Sequence, residues 1–73
     1  MYDRSEYTVT DSGIDEYGGV WVTAVGPDYR IARRLCAAHS RKHNYGQWVS
    51  GGASFMDAGK RVEVNTRYHS GKR

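Results

Sequence analysis

The feature that most constrains the fold is one helix-forming segment between two β-forming parts of the chain. Pro27 cannot lie in a helix interior, whereas Asp28 is a favourable N-cap because its carboxylate accepts hydrogen bonds from free backbone N–H groups. Asn44 and Gly46 are typical of the residues that end a helix. The segment between these two pairs therefore predicts a single helix.

The spacing of side chains predicts the two faces of this helix. The predicted core-facing stripe consists of Ile31, Ala32, Leu35, Ala38 and His39. The opposite arc carries four arginines, here called the arginine ridge: Arg30, Arg33, Arg34 and Arg41. The ridge lacks acidic residues at i+4 that would relieve its repulsion, and arginine grips phosphate or carboxylate with two hydrogen bonds. The ridge is a candidate binding surface; the alternative is a solvated helix face.

Short runs rich in Val, Thr and aromatic residues predict the strands. Residues 2–10 and the run VWVTAV at 20–25 predict a hairpin with an acidic loop, residues 11–16, between them. After the helix, residues 47–50 and 53–56 predict strands around Gly51-Gly52, which either turns the chain or makes a bulge. Residues 57–60 predict a turn, and 61–68 alternate strictly between two faces.

The predicted fold class is therefore α+β. An antiparallel sheet of four to five strands carries a single helix on one face, in the order ββαββ(β). The 73 residues are long enough for one domain, 1–73, whose basic tail, 69–73, is expected to be frayed. The second face of the sheet has nothing from this chain to cover it and is a candidate contact surface.

Charge is divided between the two halves of the chain. Residues 1–27 carry a net charge of −4 and residues 28–73 a net charge of +7, which suits electrostatic docking. A second basic cluster near the last strand consists of Lys60, Arg61, Arg67, Lys72 and Arg73, with Tyr68 and His69 among them. Basic groups mixed with aromatic rings suit single-stranded nucleic acid or an acidic protein surface. The alternative is an edge strand protected by charge.

Metal and catalytic chemistry have little support in the sequence. Cys36, His39 and His43 share one helix side and would be three zinc ligands, with His69 or Asp57 as a fourth. Three ligands from one short helix make a poor tetrahedral set, so no metal site and no cofactor are predicted. Cys36 beside His39 is a weak candidate for a nucleophile and its base, because a cysteine on a core-facing helix is usually inert. The chain is predicted not to be an enzyme.

The single cysteine excludes an intramolecular disulfide, and no stretch resembles a signal peptide or a membrane span. These features predict a cytoplasmic protein. A homodimer formed through strand edges is compatible with the sequence, because the first strand has few devices against pairing. The sequence leaves open whether the protein is a monomer or a homodimer.

The stretches PDYRIARRLCAAHSR, GQWVSGG and GKRVEVNTRYHSG, placed after an opening strand pair, carry a resemblance in layout. In this layout the chain resembles small phage-encoded anti-CRISPR proteins that inhibit type I surveillance complexes. The resemblance implies a non-enzymatic inhibitor that docks on nucleic-acid-binding subunits of the complex and obstructs target DNA in the host bacterial cytoplasm. The implied contact residues are Arg30, Arg33, Arg34, Arg41, Lys60, Arg61, Arg67 and Tyr68. The alternative function is a small DNA- or RNA-binding regulatory domain that places the arginine ridge on phosphates.

Overall fold

A computed structural model of the protein describes residues 4–70. Within this part the chain forms one helix and four strands, in the order ββαββ: β1 (Thr8–Asp11), β2 (Gly19–Gly26), α1 (Tyr29–His43), β3 (Gln47–Met56) and β4 (Arg61–His69). Short 3₁₀ turns lie at Arg4–Glu6 and Asp57–Gly59. The predicted α+β class, with one helix on a four-stranded antiparallel sheet, is confirmed.

The order of strands across the sheet is β1-β2-β4-β3, and every neighbouring pair is antiparallel. Of the two strands at the centre, β2 precedes the helix in the sequence and β4 follows it. Strict alternation along both strands sends one set of side chains beneath α1, where they are buried: Val20, Val22, Ala24, Val62, Val64, Thr66 and Tyr68. The edges of the sheet are β1 and β3.

The helix begins and ends where its capping residues predict. Oδ1 of Asp28 accepts hydrogen bonds from the backbone N–H groups of Arg30 at 2.8 Å and Ile31 at 3.3 Å. Asn44 ends the helix in the left-handed conformation with φ 57°, and its N–H donates to carbonyl groups of the last turn.

The face of α1 that contacts the sheet differs from the predicted stripe. Ala32, Cys36 and Ser40 are the residues of α1 that are buried, whereas Ile31 and Leu35 lie half-buried at the flank. Ala38, which was predicted to face the core, is exposed. The predicted stripe is centred on Ile31 and Leu35, and the structure instead centres the buried face on small side chains. The burial of Ala32 agrees with the prediction.

Small side chains on this face allow the helix to approach the sheet closely. Sγ of Cys36 lies 3.7 Å from the carbonyl oxygens of both Val22 and Val64, so the thiol touches the backbone of the two central strands. Larger side chains at the same level would hold the helix away from the sheet.

The first strand is shorter at its start than predicted. The backbone N–H of Tyr7 donates to the carbonyl of Arg4 at 3.1 Å, which closes a 3₁₀ turn, and pairing with β2 begins at Thr8. The ring of Tyr7 is buried against Gly26, where any Cβ would collide with it. The remainder of the predicted strand, residues 2 and 3, lies outside the described residues.

The last two strands are longer than predicted. β3 runs without interruption through Gly51-Gly52, and its irregularity is a bulge between Trp48 and Ser50. His69, predicted to begin a frayed tail, belongs to β4 and pairs with Gly19 and Gln47. Ser70 of that tail is also held, since its backbone N–H donates to the carbonyl of Gly18 at 3.3 Å. Residues 71–73 lie outside the described residues. In the described part of the chain, no helix is long and apolar enough to cross a membrane.

Candidate partner-binding surface

The four side chains of the arginine ridge are exposed. Arg30, Arg34 and Arg41 lie on the side of α1 that faces away from the sheet, whereas Arg33 lies on the flank that faces β3. No carboxylate within residues 4–70 forms a salt bridge with any of the four guanidinium groups. The ridge therefore presents positive charge that the described part of the chain does not neutralise.

An open groove adjoins the ridge between α1 and β3. It exists because α1 packs mainly against β2 and β4, which leaves the helix side of β3 uncovered. The groove is lined by Tyr29, Arg33, Trp48, Gly51, Gly52, Val64 and Thr66. We call it the aromatic groove. Glycine is required at position 51, because a Cβ there would lie 2.7 Å from the carbonyl oxygen of Asn65.

Exposed aromatic rings stand along this groove. Trp48 is 56% exposed and Phe55 is 65% exposed, which is unusual for such large apolar side chains. The ring of Tyr29 lies 6.4 Å from that of Phe55, centroid to centroid, and links the start of the helix to the far end of β3. Sequence reasoning missed this surface, although a run of ten uncharged residues, Gln47–Met56, was visible in the sequence.

The second predicted basic cluster does not join the ridge. Lys60 and Arg61 are exposed at the turn into β4. Arg67 lies on the sheet face opposite the helix, where its guanidinium is 3.6 Å from a carboxylate oxygen of Asp15 and 5.6 Å from the ring centroid of Trp21. Lys72 and Arg73 lie outside the described residues. The predicted binding residues are thus divided among three regions of the surface.

Tyr68, named as a contact residue on the basis of the resemblance, is buried. It is 6% exposed beneath the helix, in the same row as Val62 and Val64. The alternation along β4 places it in the core, where its ring stabilises the fold and is not available to a partner.

The sheet face without a helix is largely polar. The hydroxyl of Thr23 donates to Oδ1 of Asn65 at 2.7 Å, and Arg67 covers part of Trp21. Polar side chains that bond to one another need no covering layer. This face is therefore a weaker candidate for docking than the aromatic groove.

The acidic loop has structural roles at both of its ends. Oδ1 of Asp15 accepts hydrogen bonds from the backbone N–H groups of Tyr17 at 2.8 Å and Gly19 at 2.9 Å. These bonds, the one from Gly19 first, hold the pKa of the Asp15 carboxyl below its ordinary value. The carboxylate thus shapes the turn that leads into β2.

At the other end of the loop, Asp11 ties β1 to the helix. Oδ2 of Asp11 lies 2.6 Å from Nε2 of His39 and accepts a hydrogen bond from the hydroxyl of Tyr45 at 2.8 Å. The bond to His39, followed by that from Tyr45, lowers the pKa of Asp11, and the same carboxylate raises the pKa of the Tyr45 phenol. The ring of His43 stacks on that of Tyr45, with their centroids 5.4 Å apart. No local pattern predicts this cluster, because Asp11 lies 28 residues before His39 in the sequence.

The three side chains considered as zinc ligands do not converge. The rings of His39 and His43 lie 4.5 Å apart, centroid to centroid, but Cys36 points away from them into the sheet. Burial raises the pKa of the Cys36 thiol, which disfavours the reactive thiolate. Residues 4–70 contain no group of three or more His, Cys, Asp or Glu side chains that could hold a metal ion.

Comparison with known proteins identifies no relative: no protein family matches the chain, and no curated protein and no solved structure is significantly similar to it. The resemblance to anti-CRISPR proteins therefore stays a prediction.

Proposed function

We propose that the protein is a non-enzymatic binding protein that docks on a macromolecular partner through the arginine ridge and the aromatic groove. The observation that supports this proposal is the contact between the two features: Arg33 borders the groove that also exposes Trp48. Arginine, tryptophan and tyrosine carry most of the binding energy in protein interfaces, especially where they lie together. The uncompensated positive charge favours an acidic surface on the partner.

The proposed partner is a bacterial type I CRISPR-Cas surveillance complex, and the protein acts as a phage inhibitor in the host cytoplasm. The support for this partner is the resemblance in layout described above. The protein docks on nucleic-acid-binding subunits and obstructs target DNA. Because the ridge is basic, it binds acidic patches of these subunits and does not mimic DNA, which is acidic.

The test uses purified type I surveillance complexes of several subtypes and a labelled target DNA. The wild-type protein is expected to co-migrate with a complex and to reduce its binding of target DNA. The double variant Arg30→Gln/Arg34→Gln should bind the complex about 100-fold more weakly, because each lost guanidinium at an interface centre weakens binding roughly tenfold.

A matched control removes two positive charges from a different region. Lys60→Gln/Arg61→Gln changes the net charge by the same amount and leaves the ridge intact. It should bind within a few-fold of wild type. Equal losses in the two double variants would mean that net charge alone drives binding, and no binding of wild type to any subtype would reject this partner.

A second candidate function is binding of single-stranded nucleic acid. The observation that favours it is the set of exposed rings beside the ridge, with Trp48 and Phe55 on one strand and Tyr29 on the adjoining helix. Bases stack on exposed aromatic rings while arginines neutralise the phosphates.

Salt dependence separates the two candidates. If three arginines neutralise phosphates of a labelled single-stranded oligonucleotide, its affinity should fall about 20-fold between 50 and 200 mM salt. Docking on a protein through rings and a few charges should weaken less over the same range. A nuclease-resistant complex with a protein partner would reject the nucleic-acid candidate.

A further inference from the structure

The strand β3 is an unusually long and open edge of the sheet. One side of Gln47–Met56 is hydrogen-bonded to β4, and no strand within residues 4–70 pairs with the other side. All ten residues of the strand are exposed. A row of free backbone N–H and C=O groups on such an edge is a template for another strand.

The usual protections of an edge strand are missing from β3. Monomeric proteins guard long edges with charged side chains, proline or very short strands, but β3 contains no charged residue and no proline. Its one irregularity is the bulge between Trp48 and Ser50. The opposite edge, β1, is four residues long and ends at Asp11, so it offers a far shorter template.

We propose that two copies of the protein pair through β3, antiparallel and about a two-fold axis at Gly52, so that their sheets become continuous. The register with β4 places Gly51 and Ala53 on the helix side and Ser50 and Ser54 on the other side. An axis at Gly52 brings Gly51 opposite Ala53 of the second copy and Ser50 opposite its Ser54. Each pair shares a face, as an antiparallel ladder requires.

The side chains along this ladder suit self-pairing. Its centre is built from glycine, alanine and serine, which let the two backbones approach. At each end of the ladder, Phe55 of one copy lies beside the bulge that follows Trp48 of the other copy, on the helix side. Both rings are exposed in the isolated molecule. The exposed aromatic rings of the two copies therefore cover each other at both ends of the ladder.

Charge and area indicate a second copy as the occupant. Because β3 is uncharged, a two-fold axis brings no like charges together within the ladder, although the chain is basic overall. An axis at Gly52 pairs residues 48–56 of the two copies, and these nine residues span about 31 Å at about 3.4 Å each. With the molecule's smallest extent of 15 Å, the edge covers about 460 Å² per copy. The total of about 900 Å² is just below the size expected of a stable interface and predicts a weak dimer.

This inference does not rest on the proposed function. A two-fold axis perpendicular to the sheet leaves both helices on the same side, so a dimer would present two arginine ridges on one face. Dimer formation is measured without the partner. The dimer would cover Trp48, so the proposed partner would reach the aromatic groove only in the monomer, whereas the arginine ridges would stay exposed in both states.

The test uses sedimentation velocity over a micromolar to millimolar concentration series. Wild type should show a concentration-dependent dimer. Gly52→Lys and Gly52→Glu should each be monomeric, because like charges then meet at the axis. An equimolar mixture of the two variants should form a dimer again, since opposite charges now meet. A Cβ at Gly52 has no neighbour within 4 Å, so both variants are expected to fold.

Gly52→Ala is the matched control, because it adds a side chain without charge and should dimerise like wild type. Circular dichroism confirms that each variant is folded. A wild type that stays monomeric throughout the series would overturn the proposal. A strand of a different protein would then be the candidate for pairing with β3. Charged variants that dimerise as well as wild type, or a mixture that stays monomeric, would also overturn it.

Discussion

At the scale of single residues, the structure shows structural roles of polar side chains that the sequence does not reveal. Asp11 ends the strand β1 and accepts hydrogen bonds from two other parts of the chain, the helix and the segment after it. Its side chain is 23% exposed, so its partners compete with water but still hold it in one position. The carboxylate links the edge of the sheet to the end of α1.

Asp11→Asn is expected to destabilise the protein by about 1 kcal/mol at pH 7, because a hydrogen-bonded charge is lost at a partly exposed site. The pKa of Asp11 is lowered in the folded state, so its contribution is complete above the ordinary value of 3.8. It is lost as the pH falls through the lower folded pKa. The stability gap between wild type and variant should therefore close below about pH 3.8, as urea unfolding at a series of pH values would measure.

Glu16→Gln removes a carboxylate from the same loop at an exposed position and serves as its control. Its free energy of unfolding should stay within about 0.5 kcal/mol of wild type at every pH. A gap between wild type and Asp11→Asn that does not depend on pH would show that the carboxylate charge is not what ties β1 to the helix.

At the scale of elements, the limits of the helix and the faces of β4 could be predicted because local chemistry decides them. Asp28 and Asn44 cap the helix through groups a few residues away, and alternation assigns each side chain of β4 to one face. The rotation of α1 could not be predicted from apolar spacing. It depends on how closely the helix approaches the sheet, and thus on side chains of β2 and β4.

The candidate site likewise has one part that could be predicted from the sequence and one part that could not. The arginine ridge follows from helical spacing within one element, and the four arginines are exposed. The aromatic groove depends on β3 lying beside β4 and beyond the reach of the helix, which is a matter of strand order. The sequence of Gly51-Gly52 predicts a turn or a bulge, yet glycine is needed at Gly51 because a Cβ there would lie 2.7 Å from the carbonyl oxygen of Asn65.

The close approach of the helix to the sheet predicts that the same substitution has unequal effects on stability at two alanines of α1. Ala32 is 0% exposed on the side of α1 that faces the sheet, whereas Ala38 is exposed. Ala32→Leu should destabilise the protein by about 2 kcal/mol, because the added carbons push α1 away from the sheet. Ala38→Leu should change stability by less than about 0.5 kcal/mol, since leucine and alanine both favour helices.

Urea unfolding of the two variants under identical conditions is the measurement. The two substitutions add the same atoms to the same helix, so helix propensity cancels in the comparison. A similar effect at both positions would show that the helix does not pack on the sheet through Ala32, Cys36 and Ser40.

At the scale of the whole molecule, a single core joins parts of the chain that are distant in sequence. α1 rests on β2 and β4, and these two strands pair along eight residues of β2. A chain of 73 residues buries only about 60% of its extended surface, so little stability can be lost before it unfolds. Helix and sheet are therefore expected to separate only when the whole domain unfolds.

The one cysteine provides a direct test of this cooperativity. Cys36 is 0% exposed between α1 and the central strands, and burial raises the pKa of its thiol. A thiol reagent should therefore modify it only in molecules that have unfolded globally. The logarithm of the labelling rate should rise with urea with the slope of the equilibrium unfolding curve, because both then report the same exposed surface.

Ala38→Cys in a Cys36→Ala background is the control, because its thiol lies on the exposed side of the same helix and should react at once without urea. Labelling of Cys36 that is slow but independent of urea would contradict the prediction. It would mean that α1 lifts from the sheet by a local motion that leaves β2 and β4 paired, because a small opening exposes too little surface to respond to denaturant.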